Sequence, residues 1–232
     1  AGFSFLLAVC ASSVMSGQLK YKSADRMTLT RMLSGFSYVW RNKIVLGAVS
    51  IDLVAVLLGG VMGLLPIYAS DILAVGPDGL GLMRAMPGIG ALFMGLALAQ
   101  IAHPRYVGAT MFITLALFGG SIVIFSLSTV FWISLAALAI YGASDMVSVY
   151  IRLTLVQLAT PDEMRGRVSA VNSISINASN ELGDFRAGLM ASGFGTVPAV
   201  LIGGIATFAV VGVWMKVFPS LVKINRFDDV KK

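Results

Sequence analysis

The sequence predicts an all-α membrane protein, and three observations carry that prediction. Of its 232 residues, 57% are hydrophobic and only 12% charged, where a soluble protein carries about 25% charged residues. Apolar stretches long enough to cross a bilayer recur at residues 44–70, 79–102, 106–127, 130–151 and 197–218. Lysine and arginine collect in alternate connections between them. A mean hydropathy of +0.88 cannot be hidden in one water-soluble core, which would expose apolar patches far larger than soluble monomers tolerate. The solvent for most of this surface is lipid. Twenty-five glycines within apolar runs fit membrane helices, whose close packing uses small residues.

Residues 1–15 are apolar but shorter than the roughly 20 residues a span needs. With no charged segment before them, they read as the end of a membrane helix rather than as a signal peptide. Residues 16–43 form the one long connection. Within it Leu29, Met32, Leu33, Phe36 and Trp40 recur at helical spacing, which predicts an amphipathic helix on the membrane surface; an ordinary linker is the plain alternative. The five apolar stretches follow, each able to cross about 30 Å of hydrocarbon at ~1.5 Å per residue. A further stretch, 168–192, is more polar but keeps helical spacing and length. Residues 219–232 are a basic tail.

Charge decides orientation. Lys20, Lys22, Arg26, Arg31, Arg41, Lys43, Arg105, Arg165 and Arg167 lie in one set of loops, and Lys216, Lys223, Arg226, Lys231 and Lys232 follow at the end of the chain. The alternate loops, 71–78, 128–129 and 193–196, hold no lysine or arginine. This asymmetry places the basic loops and the C-terminus in the cytoplasm. The net charge of +6 is thus topological, and nucleic acid is not an expected partner. The single cysteine, Cys10, and the single histidine, His103, offer no disulfide framework and no metal-ligand cluster. No nucleophile, zinc or phosphate-loop signature appears, so neither catalysis nor a cofactor is expected. Gly88-Ile-Gly90 lacks a preceding strand and has Phe93 where a nucleotide fingerprint needs glycine.

Ionisable groups inside spans are costly and mark function by default. Here they are Asp52, Arg84, Asp145, Arg152, Glu181, Asp184 and Arg186. Asp145, Ser148 and Arg152 share one helical face, with Asp162, Glu163, Arg165 and Arg167 in the loop that follows. They form either a cytoplasmic gate latch or a static bridge at a helix end. Ser173, Asn177, Asn180 and Asp184 make a polar stripe with Glu181 beside it. The stripe lines a water-filled path or bonds to neighbouring helices. Asp52, Arg84, Asn177, Asn180, Glu181 and Asp184 are the candidate substrate and coupling residues; Asp145, Arg152, Asp162, Arg165 and Arg167 are the candidate gate. If transport is driven by protons, Asp52 or Glu181 is the carboxylate expected to exchange them, with Arg84 opposing and Arg186 keeping Asp184 charged; the alternative is a coupling acid outside these residues. Gly59-Gly-Val-Met-Gly63, followed by Pro66, predicts close helix contact and a kink. Asn177-Ala-Ser179 matches a glycosylation sequon, but its depth in a span makes that match empty.

The run Gln-Leu-Ala-Thr-Pro-Asp-Glu-Met-Arg-Gly-Arg-Val-Ser-Ala-Val-Asn over residues 157–172 resembles the loop between helices 10 and 11 of major facilitator superfamily transporters. In particular it is similar to the branch of enterobactin exporters and macrolide-type efflux proteins. Gly-Ala-Ser-Asp-Met-Val-Ser-Val-Tyr-Ile-Arg over 142–152 and Asn-Glu-Leu-Gly-Asp-Phe-Arg-Ala-Gly over 180–188 are similar to that branch too. The resemblance implies the C-terminal six-helix half of a twelve-helix fold, over 44–218, with residues 1–15 as the incomplete end of helix 6. It also implies an N-terminal six-helix half as partner, alternating access between the halves, a small-molecule substrate and a bacterial inner-membrane location. The loop at 102–106 is a reduced form of one that many members carry richer in charge. The expected function is proton-coupled export, by antiport, of a small amphiphile such as a siderophore or drug. Uptake of a small polar solute and a non-transporting receptor or scaffold are the alternatives.

Overall fold

The computed structural model describes residues 29–100 and 106–230. The expected helix end at 1–15, most of the connection after it, Cys10, His103, Arg105, Lys231 and Lys232 lie outside the described residues. The described part is helical: α1 Leu29–Arg41, α2 Lys43–Gly59, α3 Gly76–Gln100, α4 Val107–Leu127, α5 Phe131–Leu158, α6 Asp162–Phe194, α7 Thr196–Val217 and the short α8 Pro219–Val222. The span begun by α2, together with α3, α4, α5 and α7, makes five helices long and apolar enough to cross a membrane. The protein is an all-α membrane protein.

Three boundaries differ from the sequence expectation, each for a local reason. The stretch read as one span from residue 44 breaks after Gly59 and resumes as a 3-10 turn at Met62–Leu64, running through a π turn at Tyr68–Ile72. Gly59 and Gly60 hold the backbone in a helix only weakly, and Pro66 supplies no N–H to the turn before it. α6 starts at Asp162, earlier than expected. Pro161 precedes it and Asp162 and Glu163 stand in its first turn, where negative charge meets the positive end of the helix. α5 likewise runs on to Leu158.

Small residues set the helix contacts. A Cβ on Gly142 of α5 would strike the Pro87 carbonyl of α3, and one on Gly90 of α3 would strike the Ala139 carbonyl of α5. α3 therefore lies backbone to backbone on α5, while Leu82, Leu92, Phe93 and Leu96 on its other side are exposed. Gly119 of α4 and Gly204 of α7 pair in the same way, each Cβ position falling 3.1–3.2 Å from the other's carbonyl oxygen. The rings of Phe118 and Tyr141 meet at 4.4 Å and those of Tyr68 and Phe125 at 4.6 Å, within the main core. Gly195, with φ +89°, turns the chain from α6 into α7, a backbone state that favours glycine.

α1 docks on α6 through Gly35 and Val39. The Gly35 Cβ position lies 3.0 Å from the Arg167 carbonyl oxygen, and Val39 joins a small core with Val45, Val168 and Val171. Of the expected apolar stripe, Phe36 and Trp40 are 47% and 78% exposed, so these two side chains do not take part in the docking. The aromatic side of α1 is free of the bundle.

Candidate functional site

α2 and α5 meet at a buried charge cluster. Arg152 of α5 forms an ion pair with Asp52, in the third turn of α2, and both residues are 6% exposed. Its second terminal nitrogen lies 3.9 Å from Asp145, whose side chain is 43% exposed. Its Nε donates to the Ser148 carbonyl at 3.2 Å. The sequence placed Asp145 and Arg152 on one face of α5; folding adds Asp52 as the tighter partner, so a residue grouped with the coupling path sits in the candidate gate. Arg84, expected to oppose Asp52, is exposed on α3 instead. Asn172 and Ile176 of α6, with Val149 and Leu153 of α5, close a small cavity over the pair. Among the described residues the buried Ser148 hydroxyl has no hydrogen-bond partner. Two carboxylates share one guanidinium here. A buried arginine must keep at least one of them, because an uncompensated buried charge costs several kcal/mol.

The second constellation lies where the first span breaks. A helix that ends inside a membrane leaves carbonyls unpaired on one side and N–H groups on the other. Two side chains from a single helix, α6, meet both ends. Arg186 donates from Nε to the Leu57 carbonyl at 2.9 Å and from its terminal nitrogen to the Leu58 carbonyl at 2.5 Å. Asp184 accepts from the Gly63 N–H at 3.0 Å. The cation thus sits on the negative end of α2 and the anion on the positive start of the next turn, as helix dipoles favour. Glycines admit the approach. A Cβ on Gly183 would lie 3.0 Å from the Val56 carbonyl oxygen, and one on Gly203 of α7 would lie 2.5 Å from that of Leu58. Sequence reasoning read Arg186 only as a neighbour keeping Asp184 charged; in the structure the two turn to opposite ends of the break. The visible signal was Gly59–Gly60 facing a span with charges two residues apart.

The other expected residues fall on two surfaces. Asn177, Asn180 and Glu181 are exposed on α6, as is Arg84 on α3. Asn177 turns its amide back to the Ser173 carbonyl at 2.9 Å. Phe93 on α3 and Phe185 on α6 are exposed too, whereas Tyr68 and Phe112 are core residues. At the start of α6, Arg165 pairs with Asp162 at 2.8 Å in an exposed, local contact and reaches the Gln157 carbonyl at 3.3 Å. Arg167 reaches across to Ser34 of α1 at 3.2 Å. Arg165 and Arg167 therefore tie α6 to α5 and α1 at one end, with Asp162 holding Arg165 locally, apart from the buried cluster of Asp52, Asp145 and Arg152.

Residues 6–229 match the model of a family described as transmembrane secretion effector. The enterobactin exporter EntS of Citrobacter koseri is 27% identical over 149 residues, covering 64% of this chain and 35% of that protein. The chain thus aligns with about a third of the relative's length. No solved structure matches it. With the family match spanning nearly its whole length, and with five apolar spans and a sixth polar helix to match, the chain belongs to the transmembrane secretion effector family, an exporter branch of the major facilitator superfamily.

Proposed function

We propose that this chain is the C-terminal half of a secondary exporter that moves a small amphiphile, siderophore-like or drug-like, out of the cytoplasm in exchange for protons. One observation carries the reading. Asn177, Asn180 and Glu181 stand exposed on a helix set among apolar spans, and such groups are too costly to face lipid. They face a water-filled path or a second protein surface. Phe185, exposed four residues after Glu181 on the same helix, supplies apolar area for an amphiphilic substrate. The family match and the exporter relative support outward transport.

The partner surface is an N-terminal six-helix half, received by the exposed faces of α3 and α6. The basic ends of the helices lie in the cytoplasm, and the buried cluster is the inner gate. When Asp52 is protonated it loses its hold on Arg152, which then turns to Asp145; when it ionises the α2–α5 contact reforms. Alternation of that kind couples a proton to a helix movement, provided the two states differ in contact energy by about 1–3 kcal/mol.

The test is reconstitution of the complete transporter in liposomes with an imposed pH gradient and a panel of catecholate siderophores, amphiphilic drugs and small polar solutes. Gradient-driven movement of an amphiphile is expected, with none for the fragment alone. Uptake of a polar solute, or gradient-independent behaviour of every compound, would overturn the reading. Asp52→Asn should abolish driven flux while leaving substrate exchange.

A further inference from the structure

The geometry points to an anionic phospholipid headgroup bound in the groove where α1, α2 and α8 meet. The groove, about 570 Å³, is lined by Tyr38, Arg41, Asn42, Lys43, Ile44 and Ser220. A single residue, Asn42, separates α1 from α2, so Arg41 and Lys43 stand on either side of one sharp corner. Both are exposed.

The corner is built rather than loose. Asn42 Oδ1 accepts the N–H groups of Ile44 and Val45 at 3.1 and 3.3 Å. Its amide nitrogen lies 3.3 Å from the Ala159 carbonyl at the end of α5, and the Tyr38 hydroxyl donates to the same carbonyl at 2.6 Å. The wall that carries the two cations is therefore pinned to α5.

Charge calls for an anion there. Lys43 is the first residue of α2, and the first turn of that 17-residue helix contains no acid. A cation beside the positive end of a helix is unfavourable until an anion joins it. Among the described residues no carboxylate lines the groove, and Lys216, exposed in the last turn of α7, adds a further cation at the same end of the bundle.

Depth decides between a soluble anion and a lipid. The groove lies at the beginning of one membrane span and just past the end of another, which is the level of lipid headgroups. Trp40, 78% exposed, and Phe36, 47% exposed, project from the same helix, and aromatic side chains of this kind settle at that level. Val213 and Val217, exposed along α7, offer an apolar track for an acyl chain. The occupant is thus a phosphodiester with a hydrocarbon tail. This inference rests on the membrane placement of the chain but not on its transport direction or substrate.

The experiment counts lipid retained by the full protein after delipidation and exposure to micelles of phosphatidylglycerol or phosphatidylcholine, by native mass spectrometry. One phosphatidylglycerol should be retained, at roughly thirtyfold preference, in line with about 1 kcal/mol of attraction from each of two cations at a membrane surface. Arg41→Gln with Lys43→Gln should lose it, and so should Ser220→Glu, which leaves both cations in place and decides the matter if the first variant does not fold. Lys223→Gln with Arg226→Gln, the same change in charge outside the groove, should keep it. Equal retention of the two lipids would overturn the inference. So would equal loss in the Lys223/Arg226 variant, or glycerol phosphate alone binding as well as the lipid.

Discussion

Arg152 reaches out of α5 to pair with Asp52 of α2, leaving Asp145, seven residues before it on its own helix, as the looser partner at 3.9 Å. The ion pair joins two spans, and the two carboxylates around the guanidinium are unequal in burial. That inequality ranks the effects of neutralising each one.

Asp52→Asn should destabilise the protein by about 3–5 kcal/mol, the cost of leaving a buried charge without its main partner. Asp145→Asn should cost about 1 kcal/mol or less, as expected for a half-exposed partner. Thermal unfolding in detergent measures both. The double variant Asp52→Leu with Arg152→Met removes the pair and should recover most of the loss, because an apolar pair avoids desolvation. If that variant is stable and inactive, the cluster serves function rather than folding.

Arg186→Ala should cost about 1.5–3 kcal/mol for lost charged hydrogen bonds and raise hydrogen exchange around residues 56–63. Arg186→Lys should restore only part of it. An ammonium is a point charge, while the guanidinium forks to both Leu57 and Leu58 carbonyls. Unchanged exchange at the break in Arg186→Ala would refute the capping role.

Gly142→Ala should push α3 off α5, since the new methyl would meet the Pro87 carbonyl; a loss of about 1–3 kcal/mol is expected from overpacking. Gly212→Ala has open space around its Cβ position and should be neutral or slightly stabilising. Comparing the two melting temperatures checks that backbone contact, rather than helix propensity, governs the effect.

Cysteines placed at Asp78 and Thr129 in a Cys10→Ser background should label from outside the cell, and one at Asn225 from inside. The prediction follows from the absence of lysine and arginine in the loops at 71–78 and 128–129. Labelling of Asp78→Cys from the cytoplasm alone would reverse the orientation.

The sequence by itself determined the solvent, the number of strongly apolar spans and the identity of the charges within them. Those properties are additive along the chain, because lipid acts on each residue of a helix according to its own polarity. What the tertiary structure decided is which charge meets which. Asp52 lies 100 residues from Arg152, and Asp184 and Arg186 lie more than 120 from the backbone groups they cap. Periodicity placed Asp145, Ser148 and Arg152 on one face because a helix repeats locally. It carried no information about which helix stands opposite, nor about the close contacts of Gly60, Gly183 and Gly203 with the backbone of neighbouring helices. The run from Gly59 to Gly63 read as a kink for the same reason. A break in a membrane helix is stable only once another helix supplies the missing hydrogen-bond partners, and those partners, Asp184 and Arg186, become neighbours only on folding.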